Sequence, residues 1–142
     1  MKPTLLVVED DPDHAFLVLR ALDRLGVSGE QVTHVMDGQA ALDVLEGGLD
    51  PDLILLDLRL PKIDGLEVLA RLKADPDRNR IPVVMLTTSR AEADVARAYA
   101  HHVNSYLVKP PRLDALRALM AQVVQYWLET NEPPPGNGTE PP

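Results

Sequence analysis

The sequence predicts an α/β domain built from five βα units around a parallel sheet. Two observations carry this expectation. First, short all-apolar runs alternate with stretches whose apolar residues recur at helical spacing. The runs are Leu5-Leu6-Val7-Val8, Leu53-Ile54-Leu55-Leu56, Val83-Val84-Met85-Leu86 and Tyr106-Leu107-Val108. Strands covered on both faces of a parallel sheet read in this continuous way. Second, each run closes on a polar residue able to do chemistry: Glu9-Asp10, Asp57, Thr87-Thr88 and Lys109. If the runs are parallel neighbours, these ends meet at one edge of the sheet, where open α/β folds place their ligand sites.

Taken in order, the strands are expected near Thr4 to Glu9, Gln31 to Met36, Asp52 to Asp57, Pro82 to Thr87 and Ser105 to Val108. The second has the weakest apolar signal. The first helix should begin after Asp11, which can cap it, with Pro12 at the first helical position, and should end at Gly26. Ala15, Val18, Leu22 and Leu25 would share its buried face. A second helix fits Gly38 to Leu45, stopped by Gly47-Gly48, and a third fits Leu66 to Ala74, stopped at Asp75-Pro76. The fourth, about Ala91 to His101, offers only Val95 and Tyr99 as large apolar residues, so it should pack weakly and be the element most able to shift. His101-His102 reads as a helix end rather than a ligand pair, since adjacent helical residues point apart. The fifth carries a wide stripe of Leu113, Leu116, Leu119, Met120, Val123, Val124, Trp127 and Leu128.

A chain of 142 residues accommodates one domain, expected over residues 1–130. Residues 131–142 include Pro133-Pro134-Pro135 and Pro141-Pro142 and hold nothing to bury, so a disordered tail is expected. Cysteine is absent, which excludes a disulfide framework, a thiolate nucleophile and cysteine-ligated zinc. A net charge of −8 with scattered basic residues argues against nucleic acid as a partner. No apolar stretch approaches the roughly 20 residues of a membrane span, and Met1-Lys2-Pro3-Thr4 leaves no room for a secretory signal. A cytoplasmic location is the expectation.

Parallel strands joined by right-handed crossovers would gather Glu9, Asp10 and Asp57 at one edge. Three carboxylates repel one another unless a cation sits among them, and the candidates are a divalent ion and Lys109. An all-oxygen ligand set with room for water and phosphate suits Mg2+. Beside such a cation Asp57 can act as an ionised nucleophile, and phosphoryl transfer asks mainly for positioning and charge neutralisation. Thr87 would add a hydroxyl donor.

This set resembles the receiver domain of bacterial response regulators over about Thr4 to Leu128. Glu9 and Asp10 match the acidic pair, Asp57 the phosphoacceptor, Thr87 the switch hydroxyl, Tyr106 the switch aromatic and Lys109-Pro110 the lysine and following proline; Pro61, Asp64 and Gly65 fit the loop after the phosphoacceptor. The resemblance implies a doubly wound, flavodoxin-like sheet in the order 2-1-3-4-5 with helices on both faces. It implies Mg2+ held by Asp10, Asp57 and the backbone carbonyl of Arg59, with Glu9 acting mostly through water. It also implies a sensor histidine kinase as phosphodonor, and a response in which Thr87 and Tyr106 move and the surface of the fourth helix, fifth strand and fifth helix changes. Arg59 and Ser89, two residues beyond Asp57 and Thr87, stand where that family tunes access of water to the acyl phosphate.

The segments Val103 to Lys109 and Tyr126 to Thr130 resemble the small response regulators of bacterial phytochromes. That likeness implies a phytochrome kinase as partner and a homodimer through the fourth helix, fifth strand, fifth helix and C-terminal aromatics. Ser105, Thr88 and Pro111 depart from the commoner receiver pattern. Tyr126 and Trp127 have two readings, closure of the core or packing against a second copy. Rival functions remain. A phosphatase of the haloacid dehalogenase type would need a carboxylate where Arg59 stands, and a flavodoxin-like cofactor module would need small residues in place of Glu9-Asp10-Asp11. A pseudo-receiver that never accepts phosphate is the third alternative.

Overall fold

The computed structural model describes residues 2–135. Five strands form one parallel sheet: β1 (Leu5–Val8), β2 (Val32–Val35), β3 (Leu53–Leu56), β4 (Val83–Thr87) and β5 (Ser105–Val108), in the order β2-β1-β3-β4-β5. The α-helices are α1 (Pro12–Arg24), α2 (Gly38–Glu46), α3 (Gly65–Ala74), α4 (Glu92–Ala100) and α5 (Leu113–Val123). The expected doubly wound fold and strand order are what the structure has.

The register explains the continuous apolar runs. Leu5 to Val8 lie between Val32 to Val35 on one side and Leu53 to Leu56 on the other, and every residue of β1, β3 and β4 is buried. Edge strands β2 and β5 are half-buried throughout, which is why β2 was the faintest in sequence. Alternate residues feed two cores. Leu6, Val8, Ile54, Leu56, Val83 and Met85 pack against α2, α3 and α4, while Leu5, Val7, Leu53, Leu55, Val84 and Leu86 pack against α1 and α5.

The helix boundaries follow from local chemistry. Asp11 caps α1 by accepting from the Asp13 and His14 amides, with Pro12 at its first position, and Gly26 takes φ +88° just beyond its end. Leu25, expected on the buried face, is exposed; Val27, returning beneath the helix, is buried instead. His101 closes α4 and His102 adopts φ +66°, both exposed, in line with a helix-end role.

The fifth helix departs from a single α-helical stripe. After Val123 the chain widens into a π-helical segment, Val124–Thr130, closed by an Asn131 amide donating to the Tyr126 carbonyl at 2.6 Å. The wider turn keeps the adjacent residues Val123 and Val124 both buried and lays Trp127 and Leu128 partly against the core. Leu113, at the other end of the stripe, is exposed. Of the expected tail, 131–135 is irregular and 136–142 lies outside the described residues. No helix among the described residues is long and apolar enough to cross a membrane.

Candidate functional site

Val8 pairs with Leu56, so the residues after β1 and β3 emerge side by side at the C-terminal edge, while β4 and β5, with Met85 level with Leu56 and Tyr106, run two residues further to Thr87 and Val108. Backbone hydrogen bonds continue the ladder past the strands: the Asp57 amide donates to the Val8 carbonyl at 3.0 Å and the Lys109 amide to the Thr87 carbonyl at 2.7 Å. Residues 9, 57 and 109 are therefore positioned by the buried sheet itself.

Glu9, Asp10 and Asp57 each offer a carboxylate oxygen to one cluster, all within 4.8 Å of one another. The Lys109 ammonium, nearly buried, donates to Glu9 Oε1 and stands 3.6 Å from Asp57 Oδ2. Burial pushes the Glu9 carboxyl above its ordinary range; the Lys109 hydrogen bond opposes this and the charge of Asp57 adds to it. Three carboxylates against one ammonium leave an anionic excess. A hard divalent cation with oxygen ligands fits that excess and that donor set.

Thr87, at the end of β4, is buried, and its Oγ1 accepts from the Ser89 amide at 3.4 Å. Tyr106 is half-buried against the core, its hydroxyl donating to the Ser89 carbonyl at 3.0 Å, and burial raises the phenol above its ordinary value. Thr88 is exposed. The turn after Asp57 is held tightly: the Leu58 amide donates to Asp57 Oδ1 at 2.7 Å and the Gly65 amide to the Leu58 carbonyl at 2.8 Å. A Cβ on Gly65 would lie 2.1 Å from the Asp57 carbonyl oxygen, so only glycine lets α3 start this close to the site. Lys62, in the same turn, takes φ +67°.

Three contributors were not visible in sequence. His14 Nδ1 accepts a hydrogen bond from Lys109 Nζ at 3.2 Å, and His34 Nε2 donates to the Glu9 carbonyl at 2.9 Å. Neither contact has a telling sequence spacing, because Lys109 and the Glu9 carbonyl reach the two histidines across the fold. The third is Asp94 on α4, buried where the sequence offered only Val95 and Tyr99 as anchors. Its spacing to the buried Ala98, one helical turn on, was the available signal.

The model of the response regulator receiver domain family matches residues 5–121. This chain belongs to that family. It is 47% identical over 135 residues to the probable methanogenesis regulatory protein FilR2 of Methanothrix harundinacea, covering 92% of this chain and 86% of the relative. It is 44% identical over 132 residues to response regulator Rcp1 of Synechocystis, covering 89% of each. Among solved structures, the phosphorylated cyanobacterial phytochrome response regulator RcpA superposes with a TM-score of 0.86 at 38% identity, covering 94% of this receiver and 99% of that chain. The Mn2+-bound form of Rcp1 superposes with a TM-score of 0.81 at 42% identity, covering 93% and 99%.

Proposed function

We propose that this receiver accepts a phosphoryl group on Asp57 from the phosphohistidine of a sensor kinase and loses it to water. One observation supports this above the rest: the nucleophile candidate, its acidic neighbours and a lysine ammonium stand together at the C-terminal ends of three strands of one parallel sheet. In the forward step an Asp57 carboxylate oxygen forms a bond to phosphorus as the phosphorus–nitrogen bond to the donor imidazole breaks. In the return step the oxygen of water bonds to phosphorus, the bond to Asp57 breaks, and inorganic phosphate leaves.

Asp10 and Asp57, with the Arg59 carbonyl and Glu9 beside them, would hold Mg2+. Such an ion would supply positive charge that offsets the repulsion between the Asp57 carboxylate and an incoming phosphoryl group. Lys109 supplies a cation of the chain's own, oriented by Glu9 and His14. The Thr87 hydroxyl stands ready to donate to a phosphoryl oxygen, and Tyr106, joined to the same β4-α4 loop through Ser89, links that movement to the surface of α4, β5 and α5. Incubation with acetyl phosphate or phosphoramidate, with and without Mg2+, and intact-mass measurement tests the reading. Mg2+-dependent gain of one phosphoryl group by wild type and none by Asp57→Asn is expected; no adduct on wild type overturns it.

The likeness to Rcp1 and RcpA supports a phytochrome kinase as the donor. FilR2 favours a second reading, a kinase that senses something other than light. Phosphotransfer from a purified phytochrome kinase that differs between red and far-red light supports the first, and equal transfer from unrelated kinases supports the second. A homodimer is proposed through β5, α5 and the C-terminal aromatics. Tyr126 is exposed and stacks edge-on against Trp127 at 5.0 Å, and a groove of about 360 Å³ runs between Ser105, Leu107, Leu119, Val123 and this pair. Light scattering at high micromolar protein checks it: a monomer in both phosphorylation states removes the proposal.

A further inference from the structure

The fourth helix seats no large apolar side chain fully on the sheet, and one of its two buried residues, beside Ala98, is a carboxylate. Asp94 is 3% exposed. Its Oδ2 accepts from Ser89 Oγ at 2.6 Å and from the Arg59 guanidinium at 3.0 Å, and its Oδ1 accepts from Arg97 at 3.4 Å. The Ser89 hydroxyl also accepts from the Ala91 amide at 3.3 Å, serving the start of α4, whose own N-cap residue Ala91 makes no side-chain bond. Through its carbonyl Ser89 receives the Tyr106 hydroxyl. Four chain segments are thus joined in one polar string, Arg59–Asp94–Ser89–Tyr106.

The positions of its members matter. Arg59 stands two residues beyond Asp57, and Ser89 two residues beyond Thr87. The Arg59 side chain leaves the turn after the phosphoacceptor, stays largely in solvent, and ends on a buried acid of α4. A phosphoryl group on Asp57 brings close to two further negative charges within reach of the same turn. The guanidinium then has two anions to choose between, and planar, bidentate pairing favours the phosphoryl oxygens. If Arg59 leaves, Asp94 remains buried with Ser89 and the longer contact to Arg97 at 3.4 Å, and the seat of α4 weakens.

We propose that Asp94 is a positioning residue of the switch: it ties Arg59 and Ser89 to α4, and phosphorylation of Asp57 frees α4 by drawing Arg59 away. This rests on the phosphoacceptor reading above. The idea differs from a switch carried by Thr87 and Tyr106 alone in having a cation, contributed by the loop after β3, shared between site and helix.

Hydrogen exchange of the full chain tests it, with wild type, Arg59→Ala and Asp94→Asn compared at equal phosphate stoichiometry set by intact mass. In wild type, phosphorylation should speed exchange across residues 89–100 by about threefold to tenfold, the worth of one charge-assisted contact that is partly exposed. Unphosphorylated Arg59→Ala and Asp94→Asn should already exchange at the raised rate there, and phosphorylation should add nothing further. A structural weakening alone would raise the baseline and leave the phosphorylation response in place. That outcome, or wild-type exchange that phosphorylation does not change, overturns the proposal. Wild type that takes up no phosphate overturns the phosphoacceptor reading instead, and unphosphorylated Arg59→Ala exchanging like wild type shows that Arg59 does not hold α4.

Discussion

Replacing Gly65 by alanine should damage both the fold and the site, because the backbone there has no room to yield. The added Cβ would meet the Asp57 carbonyl oxygen at 2.1 Å, the Leu58 carbonyl oxygen at 2.6 Å and the Leu58 Cα at 2.9 Å, all backbone atoms. Restoring an ordinary contact of 3.4 Å opens about 1.3 Å between α3 and the turn after Asp57. The Gly65 amide then loses its 2.8 Å bond to the Leu58 carbonyl. Overpacking of this kind costs about 2 kcal/mol and the hydrogen bond about 1 kcal/mol, so about 3 kcal/mol in all. At about 3 °C per kcal/mol for a chain of this size, the melting temperature should fall by about 9 °C. Thermal unfolding followed by far-ultraviolet circular dichroism measures it, with Gly29→Ala as the control, since a Cβ there meets nothing within 4 Å. Phosphate incorporation from acetyl phosphate should slow in Gly65→Ala, because the Asp57 backbone moves with the turn. Melting of Gly65→Ala within about 2 °C of the control would refute the claim that this glycine sets the approach of α3.

Met120→Ala, at a fully buried position on the inner face of α5, should cost about 3 kcal/mol and lower the urea midpoint accordingly; a loss below about 1 kcal/mol would show that the α5 core is loosely packed. The Asp75 carboxyl is held below its ordinary 3.8 by the Asp77 amide and then by Arg78. A depressed folded pKa means stabilisation that is present above about pH 4 and lost as pH falls through the folded value. Asp75→Asn should therefore flatten the acid limb of the stability curve, and superimposable limbs would contradict the assignment. Tyr126→Ser should weaken the proposed dimer by sedimentation while leaving the melting temperature within about 2 °C of wild type, because an exposed side chain contributes little to the core; self-association unchanged by the substitution would contradict an interface at Tyr126.

The central strands were legible because burial on both faces leaves an uninterrupted apolar run, as at Leu53 to Leu56, whereas half-buried Val32 to Val35 at the sheet edge leaves a mixed one. The candidate site was legible for a related reason. A parallel sheet sends every strand end to the same edge, so polar residues that close apolar runs gather along that edge, whatever their separation in sequence. Side-chain partnerships across loops obey no such rule. His14 reaches Lys109 over 95 residues, and Asp94 takes Arg59 from 35 residues away, through side-chain directions that only the packed fold determines. The α4 helix shows the difference well: its poor apolar face agrees with the burial of Asp94 and Ala98 alone along it, but the polar string that Asp94 enters was hidden in an ordinary helical acid. The π-helical turn at Val124 was equally hidden, since Val123, Val124, Trp127 and Leu128 fit an α-helical stripe almost as well.

The most direct test of the account locates the phosphoryl group by chemistry. The protein is incubated with acetyl phosphate and Mg2+, and borohydride then reduces any aspartyl phosphate to homoserine, whose position peptide mass spectrometry reads. The account predicts homoserine at residue 57 alone, dependent on Mg2+. Homoserine at Asp10 or another acid, or none at residue 57 after treatment under these conditions, would contradict it.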